Sequence, residues 1–238
     1  MPDATAYSLR GVDVPDIGRV LLREGTSDQA VLDQILFSEE FNISTAPQFA
    51  WVQEAYARQL AAGETPLIVD CGANIGLSAL YFAKHLPKAR IVGIEPAADN
   101  VEIARRNTGH NPMIEIVEAA VNDTAGTLSI ANPEAEKFAY RTEEGVSGGI
   151  AVPAVTIPDV MRRHAAAGCL IVKVDIEGAE AALFRSNTGW LDTTRLLIAE
   201  THDWLFPGQG TSQTMFKALE GRRFEVNQRG EYISFFFC

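Results

Sequence analysis

The stretch that decides the fold is LIVDCGANIG, Leu67 to Gly76, followed by the apolar run LSALYFAKHL. Its first half is a short β-rich run ending in Asp70, and its second half sets two glycines around Ala-Asn-Ile. The run that follows has helical character. Strand, bare turn and helix in that order make one half of a parallel β-α-β unit. The bare turn implies that backbone must pass close to something, because glycine carries no Cβ.

The same alternation continues toward the C-terminus. ARIVGIE (89–95) precedes DNVEIARRN, IEIVEAAV (114–121) follows, LIVKVD (170–175) precedes GAEAALFR, and RLLIAE (195–200) precedes a helix expected at about 211–220. Near-continuous apolar strands separated by helices indicate a parallel sheet covered on both faces. The fold class is α/β, doubly wound. RRFEV, NQRGE and YISFFFC then predict a closing hairpin through Gly230, which puts one antiparallel strand into the sheet. Between Val121 and Val152, NDTAGTLSI predicts a turn and short strand, and Ser147-Gly148-Gly149 is a candidate hinge for a lid.

Upstream of the sheet, residues 1–62 have helical periodicity. Thr26-Ser27-Asp28 can cap a helix carrying Val31, Leu32, Ile35 and Leu36 at spacings of three and four, and FAWVQEAYARQLAAG predicts a second helix ending at Gly63. This segment is expected to be a helical cap beside the mouth of the sheet.

Composition narrows the classes of function. A chain of 238 residues that is 47% hydrophobic can bury a sizeable core. A formal net charge of −11 and scattered basic pairs speak against nucleic acid as the main partner. MPDATAYSLR lacks the basic start and apolar core of a signal peptide, and no apolar run approaches the ~18 residues of a membrane span. Three cysteines without a CxxC spacing suggest neither a disulfide framework nor a zinc site. A cytoplasmic protein with no membrane partner is expected.

In open α/β sheets ligands sit beyond the carboxyl ends of the strands. There the sequence places Asp70, then Glu95, then Asp175 and Glu177, then Glu200 and His202. A dinucleotide fingerprint needs GxGxxG, with a middle glycine that makes room for pyrophosphate; here Ala73-Asn74 occupies that region and the spacing is GxxxG. Glu95 is placed to accept hydrogen bonds from both hydroxyls of a ribose. Asp70 would repel a pyrophosphate but suits a cationic ligand, and S-adenosylmethionine carries an ammonium and a sulfonium. The electrostatics favour that cofactor over NAD.

VDCGANIGLSAL, IEPAADNVEIARRN, EAAVNDTAGTLSI, VPAVTIPDV and IVKVDIEGAEAALF occur in an order and spacing that resembles the FkbM-type S-adenosylmethionine-dependent methyltransferases, with GTSDQAVLDQILFSEEF similar to that family's lead-in. The resemblance covers roughly residues 25 to 205. It implies a Rossmann-like class I methyltransferase fold: a seven-stranded, mostly parallel sheet with a C-terminal antiparallel hairpin, residues 1–62 forming the cap and 63–238 the cofactor-binding domain. It implies an O-methyltransferase for a hydroxyl of a small metabolite, sugar or natural-product intermediate. Carried over by position, Asp70, Gly72, Asn74 and Gly76 would line the methionine part, Ser78 would lie near its carboxylate, and Glu95 would hold the ribose. Ala120 and Asn122 stand where many methyltransferases meet the adenine.

The methyl acceptor needs a base or a metal, since a protonated hydroxyl is a poor nucleophile. His202 is the first candidate for general base, because an ordinary histidine pKa of about 6.5 suits proton removal near neutrality. Glu200 shares its side of the extended segment, Asp175 and Glu177 share a side at the end of the fourth strand in the same way, and Glu177 with Gly178 can instead open the next helix. A divalent cation on Asp175, Glu200 and His202 is chemically sensible, but their spacing does not match the aspartate-rich pattern of catechol-type methyltransferases, and no metal ligands are assigned. Trp204 and Phe206 to Gly210 offer either an aromatic wall for the acceptor or a loop anchored in the core. The rivals are a NAD-dependent reductase and a non-catalytic adenosyl-ligand or protein-binding module. The sequence lacks the Asn-Pro-Pro-Tyr type motif of amino-group methylation. YISFFFC and the helical N-terminus are candidate faces of a homodimer.

Overall fold

A computed structural model describes residues 7–130, 142–143 and 150–238. At its centre lies a seven-stranded sheet whose order is β12-β13-β11-β10-β3-β4-β5. These strands are β3 (Leu67–Cys71), β4 (Arg90–Glu95), β5 (Ile114–Glu118), β10 (Cys169–Val174), β11 (Thr194–Glu200), β12 (Phe224–Arg229) and β13 (Tyr232–Phe237). Parallel pairing runs from β5 through β4, β3 and β10 to β11, and β13 enters antiparallel to both β11 and β12. The expected α/β sheet with a terminal hairpin is therefore present.

Side-chain alternation divides this sheet between two cores. Ile68, Ile171, Leu196, Ile198, Tyr232 and Phe236 pack on one face with α3 (Leu77–His85) and with the N-terminal residues Leu22, Leu32, Phe41 and Val52. Val69, Val172, Leu197, Ala199 and Phe235 pack on the other with α5 (Ile157–Arg163), α6 (Glu180–Leu183) and α7 (Gln213–Leu219). Because β13 lies second from the sheet edge, Phe235, Phe236 and Phe237 of YISFFFC are buried inside the molecule. These three rings of the candidate dimer face therefore pack within the chain's own core.

Two further sheets depart from the sequence reading. Residues expected to be helical form a hairpin instead, β1 (Leu9–Val14) with β2 (Gly18–Arg23), closed by a turn in which Asp16 and Gly18 have φ of 64° and 102°. Only then come α1 (Asp28–Leu32), a π-helical continuation over Asp33–Phe37, and α2 (Phe49–Ala61). Ser27 sits at the start of α1 without a side-chain capping bond; Thr26 receives the Asp28 amide at 3.3 Å.

The run IEIVEAAV is one strand in hydropathy but two in the structure. β5 ends at Glu118, and β6 (Ala120–Val121) leaves the main sheet to pair with β9 (Ile150–Val155), which joins β7 (Gly126–Ile130) and β8 (Thr142–Glu143) in a four-stranded sheet. The candidate hinge Ser147-Gly148-Gly149 lies outside the described residues. α4 (Ala98–Thr108) follows β4 and carries the amide groups that organise the site described next.

Candidate active site

The turn CGANIG is built by three left-handed residues, Gly72, Asn74 and Gly76, with φ of 85°, 49° and 86°. Both glycines are required by packing. A Cβ on Gly72 would lie 1.8 Å from the carbonyl oxygen of Asp175, and one on Gly76 would lie 2.9 Å from Thr108 Cγ2. Gly72 thus lets β3 and β10 close together at the carboxyl edge, and Gly76 seats α3 against α4. The amides of Gly72 and Ala73 both donate to the Ile94 carbonyl at 3.0 Å, which folds the turn over the end of β4.

That fold brings the turn onto Glu95. Glu95 Oε2 accepts from the Asn74 amide at 2.9 Å, while Oε1 accepts from the Ala97 amide at 3.0 Å and from Asn100 Nδ2 at 3.2 Å. Burial pushes the Glu95 carboxyl up to about 7, although these donors and Lys173 favour the charged form.

Lys173 was not singled out by the sequence reading, yet it joins the two halves of the site. The β3–β10 register sets it directly opposite Asp70. Its ammonium donates to the Gly72 carbonyl at 2.9 Å and stands 3.3 Å from both Asp70 Oδ1 and Asp175 Oδ2, with its side chain 2% exposed. Burial alone would lower its pKa, but the two carboxylates outweigh that and raise it. Burial raises Asp70 despite Lys173 and a short hydrogen bond from Ser78. For Asp175 the charges of Lys173 and His202 overcome burial and lower it. A lone lysine in the otherwise apolar run LIVKV was the available signal.

Beyond Asp175 the chain turns through Glu177 and Gly178, both left-handed with φ of 55° and 93°. The Phe206 ring covers Gly178, so a Cβ there would lie 2.2 Å from Phe206 Cε2. A left-handed non-glycine residue costs roughly 1–2 kcal/mol, and here it aims Glu177 back toward His202. His202 Nδ1 lies 2.8 Å from Glu180 Oε1, and Nε2 lies 3.4 Å from Glu200, 3.6 Å from Glu177 and 3.8 Å from Asp175. Burial would lower the imidazole pKa, but the hydrogen bond to Glu180 and the charges of Glu180, Asp175 and Glu177 lift it to about 9. The ordinary value assumed for His202 from sequence does not hold, because four carboxylates converge on a ring that also needed Glu180, a residue sequence reasoning missed. Burial, then Asp175, raises Glu177 to about 7 and Glu200 to about 8.

One cavity of about 330 Å³ contains both groups of residues, a size within the roughly 300–1,000 Å³ of small-molecule clefts. Gly72, Asn74, Ser78, Glu95 and Ala120 line it, and so do Asp175, Glu177, Glu200 and His202. Ser27, Val31, Gln34 and Ile35 of the N-terminal cap close one side. Trp204, 65% exposed, lines the rim, so it is not the core anchor that one sequence reading allowed. Asp70, Gly76 and Asn122 do not line the cavity: Asp70 is fully buried beneath it, Gly76 serves helix packing, and Asn122 is turned toward Thr124 at 3.5 Å. Asn74 Oδ1 is buried without a hydrogen-bond partner at the cavity wall, which marks a position awaiting a donor from a ligand. Among the described residues, Asp175, Glu200 and His202 each bring one ligand-type atom within 4.8 Å of the others.

The methyltransferase sdnD of Sordaria araneosa is 26% identical over 199 residues, covering 68% of this chain and 75% of that protein. The 2-O-methyltransferase NoeI of Sinorhizobium fredii is 24% identical over 163 residues, covering 60% and 67%. The hexuronic acid methyltransferase AglP of Haloferax volcanii is 21% identical over 174 residues, covering 72% and 71%. The methyltransferase FkbM domain matches residues 70–226, a span that begins at Asp70, ends within β12 and includes Asn74, Glu95, Asp175, Glu200 and His202, and the chain is therefore a methyltransferase of the FkbM family.

Proposed function

We propose that the protein is an S-adenosylmethionine-dependent O-methyltransferase acting on a hydroxyl of a small metabolite, sugar or natural-product intermediate. One observation carries this reading: a single cavity is lined both by Asn74, Ser78 and Glu95 and by Asp175, Glu200 and His202. The first suits the cofactor. Glu95 offers acceptors to ribose hydroxyls, and the unpartnered Asn74 Oδ1 offers one to the amino-acid end of the ligand.

S-adenosylmethionine would supply the methyl group and, as a sulfonium, a neutral leaving sulfur. The residues of the chain hold, orient and deprotonate. In-line displacement depends chiefly on alignment, and the strand ends, pinned together by Lys173 through Gly72, Asp70 and Asp175, fix the two binding regions relative to each other. His202, Glu200 and Asp175 surround the position where the acceptor proton must leave. The free cysteines Cys71, Cys169 and Cys238 suit a reducing cytoplasm, and among the described residues no helix is long and apolar enough to cross a membrane.

The names of NoeI and AglP, a 2-O-methyltransferase and a hexuronic acid methyltransferase, support a hydroxyl of a sugar-like acceptor. The test is transfer of labelled methyl from S-adenosylmethionine to a panel of sugars, hydroxy acids and amines. The reading expects alkali-stable ethers from hydroxylated acceptors; label appearing solely on amine nitrogen would refute it.

A further inference from the structure

The cluster where β10 and β11 end is more ordered than proton removal requires. His202, its side chain 1% exposed, is held at Nδ1 by Glu180 at 2.8 Å, so Nε2 points among Glu200, Glu177 and Asp175 at 3.4, 3.6 and 3.8 Å. None of these reaches the roughly 2.7–2.9 Å of a charge-assisted hydrogen bond. Nε2 faces the three carboxylates at no less than 3.4 Å, and Glu180 Oε2, on the carboxylate that holds Nδ1, is buried without a hydrogen-bond partner. Asp175 is treated alike: its Oδ2 accepts from the Tyr232 hydroxyl at 3.0 Å and faces Lys173 at 3.3 Å, leaving Oδ1 toward His202.

An imidazole tied to a carboxylate through its far nitrogen, beside a carboxylate tied through its far oxygen, is how outer partners orient the ligands of a metal ion. One ligand atom each from Asp175, Glu200 and His202 lie within 4.8 Å of one another. Ligands about 2.1 Å from a shared ion stand roughly 3.0 Å apart at right angles and roughly 3.6 Å apart at 120°; Glu200 lies within that range of Nε2 at 3.4 Å and Asp175 just beyond it at 3.8 Å.

We propose that Asp175, Glu200 and His202 form a divalent-cation site, with Glu177 at its margin and with Glu180, Lys173 and Tyr232 orienting the ligands. Two carboxylates and one imidazole are hard to borderline donors and select Mg²⁺ or Mn²⁺. Resting on the O-methyltransferase reading, the site also defines the acceptor: a hydroxyl with a second oxygen donor beside it, as in a vicinal diol or a hydroxy acid, so that both oxygens can reach the ion.

The test is calorimetric and electron-paramagnetic-resonance titration of chelator-treated protein with MnCl2 alone, with no cofactor or acceptor present. The proposal expects one Mn²⁺ per chain at micromolar affinity, at least about 100-fold weaker in Glu200→Gln and Asp175→Asn, and about 10- to 100-fold weaker in Glu180→Gln, as loss of an orienting partner typically costs. S-adenosylhomocysteine affinity, measured for each variant, certifies that the fold is kept. Glu200→Gln, which leaves the buried pairs of Lys173 with Asp70 and Asp175 intact, is the variant least able to disturb folding. No saturable Mn²⁺ binding by the parent protein up to millimolar concentration, or affinity unchanged in both ligand variants, would overturn the site. Should Mn²⁺ bind as expected while no diol or hydroxy acid accepts methyl, the acceptor reading falls and the ion site stands.

Discussion

Arg23 of β2 is joined to Glu95 of β4 through the single amide of Asn100. Arg23 Nη2 donates to Asn100 Oδ1 at 2.8 Å, and Asn100 Nδ2 donates to Glu95 Oε1 at 3.2 Å. Arg23 also forms a bidentate pair with Asp28, both side chains 1% exposed, at the start of α1. The N-terminal hairpin, which lies outside the family-matched residues 70–226, is thereby coupled to the carboxylate expected to grip the ribose. Asn107 adds a second tie: it accepts from the Leu21 amide at 2.8 Å and donates to the Ile75 carbonyl of the glycine turn at 3.0 Å.

Asn100→Ala should therefore weaken S-adenosylhomocysteine binding by roughly 3- to 10-fold, the worth of about one hydrogen bond, and should cost about 1–3 kcal/mol of stability, because buried Arg23 and Glu95 each lose a partner. Calorimetry on the variant checks this. Unaltered affinity would show that Glu95 needs no support from Asn100.

Arg23→Ala leaves Asp28 buried and unpaired, and should cost about 3–5 kcal/mol of stability. The double variant Arg23→Ala, Asp28→Ala should recover a large part of that loss. Urea denaturation of the three variants gives the cycle; additive losses would mean the pair is not coupled.

Lys173→Met should be more damaging than its single charge suggests, because Asp70 loses its cation in a fully buried place. A loss of about 3–5 kcal/mol is expected, with partial rescue by Asp70→Asn, again read by denaturant unfolding. A Lys173→Met protein as stable as the parent would remove the lysine from the architecture of the site.

Cofactor affinity should depend on pH through Glu95. Its carboxyl is pushed up to about 7 by burial, with Lys173 the charged group that opposes the shift. The ionised form accepts hydrogen bonds from ribose hydroxyls and the protonated form gives up part of that capacity, so binding of S-adenosylhomocysteine should strengthen as pH rises through about 7. Titrations between roughly pH 5.5 and 8.5 measure the slope, and Glu95→Ala should both weaken binding strongly and flatten it. A slope that survives in Glu95→Ala belongs to another group.

His202→Ala should retain cofactor binding while methyl transfer falls by roughly 10²- to 10⁴-fold, because it removes the ring nitrogen set among Asp175, Glu177 and Glu200. Equal loss of binding and turnover would make its role structural.

Much of this arrangement was legible in the chain itself. The strand ends near Asp70, Glu95, Asp175 and Glu200 could be placed because buried parallel strands are largely apolar runs that stop at a polar residue. The hairpin over Leu9–Arg23 was missed although Val20 and Leu22 alternate toward the core and Pro15-Asp16-Ile17-Gly18 is a turn; helical spacing further along was extended over it. Lys173 and Glu180 were missed for another reason. Their partners, Asp70 and His202, are 103 and 22 positions away, being brought together by strand register and by the Glu177–Gly178 turn. The break at Ala119 was likewise invisible, since hydropathy continues from β5 into β6 while the pairing partner changes.

The most direct test of the central claim is calorimetric titration of the purified protein with S-adenosylhomocysteine, alongside NADH as a ligand that shares the adenosine. The account predicts micromolar binding of S-adenosylhomocysteine alone, abolished or greatly weakened in Glu95→Ala. Binding of NADH in its place, or of neither ligand by the folded protein, would contradict it.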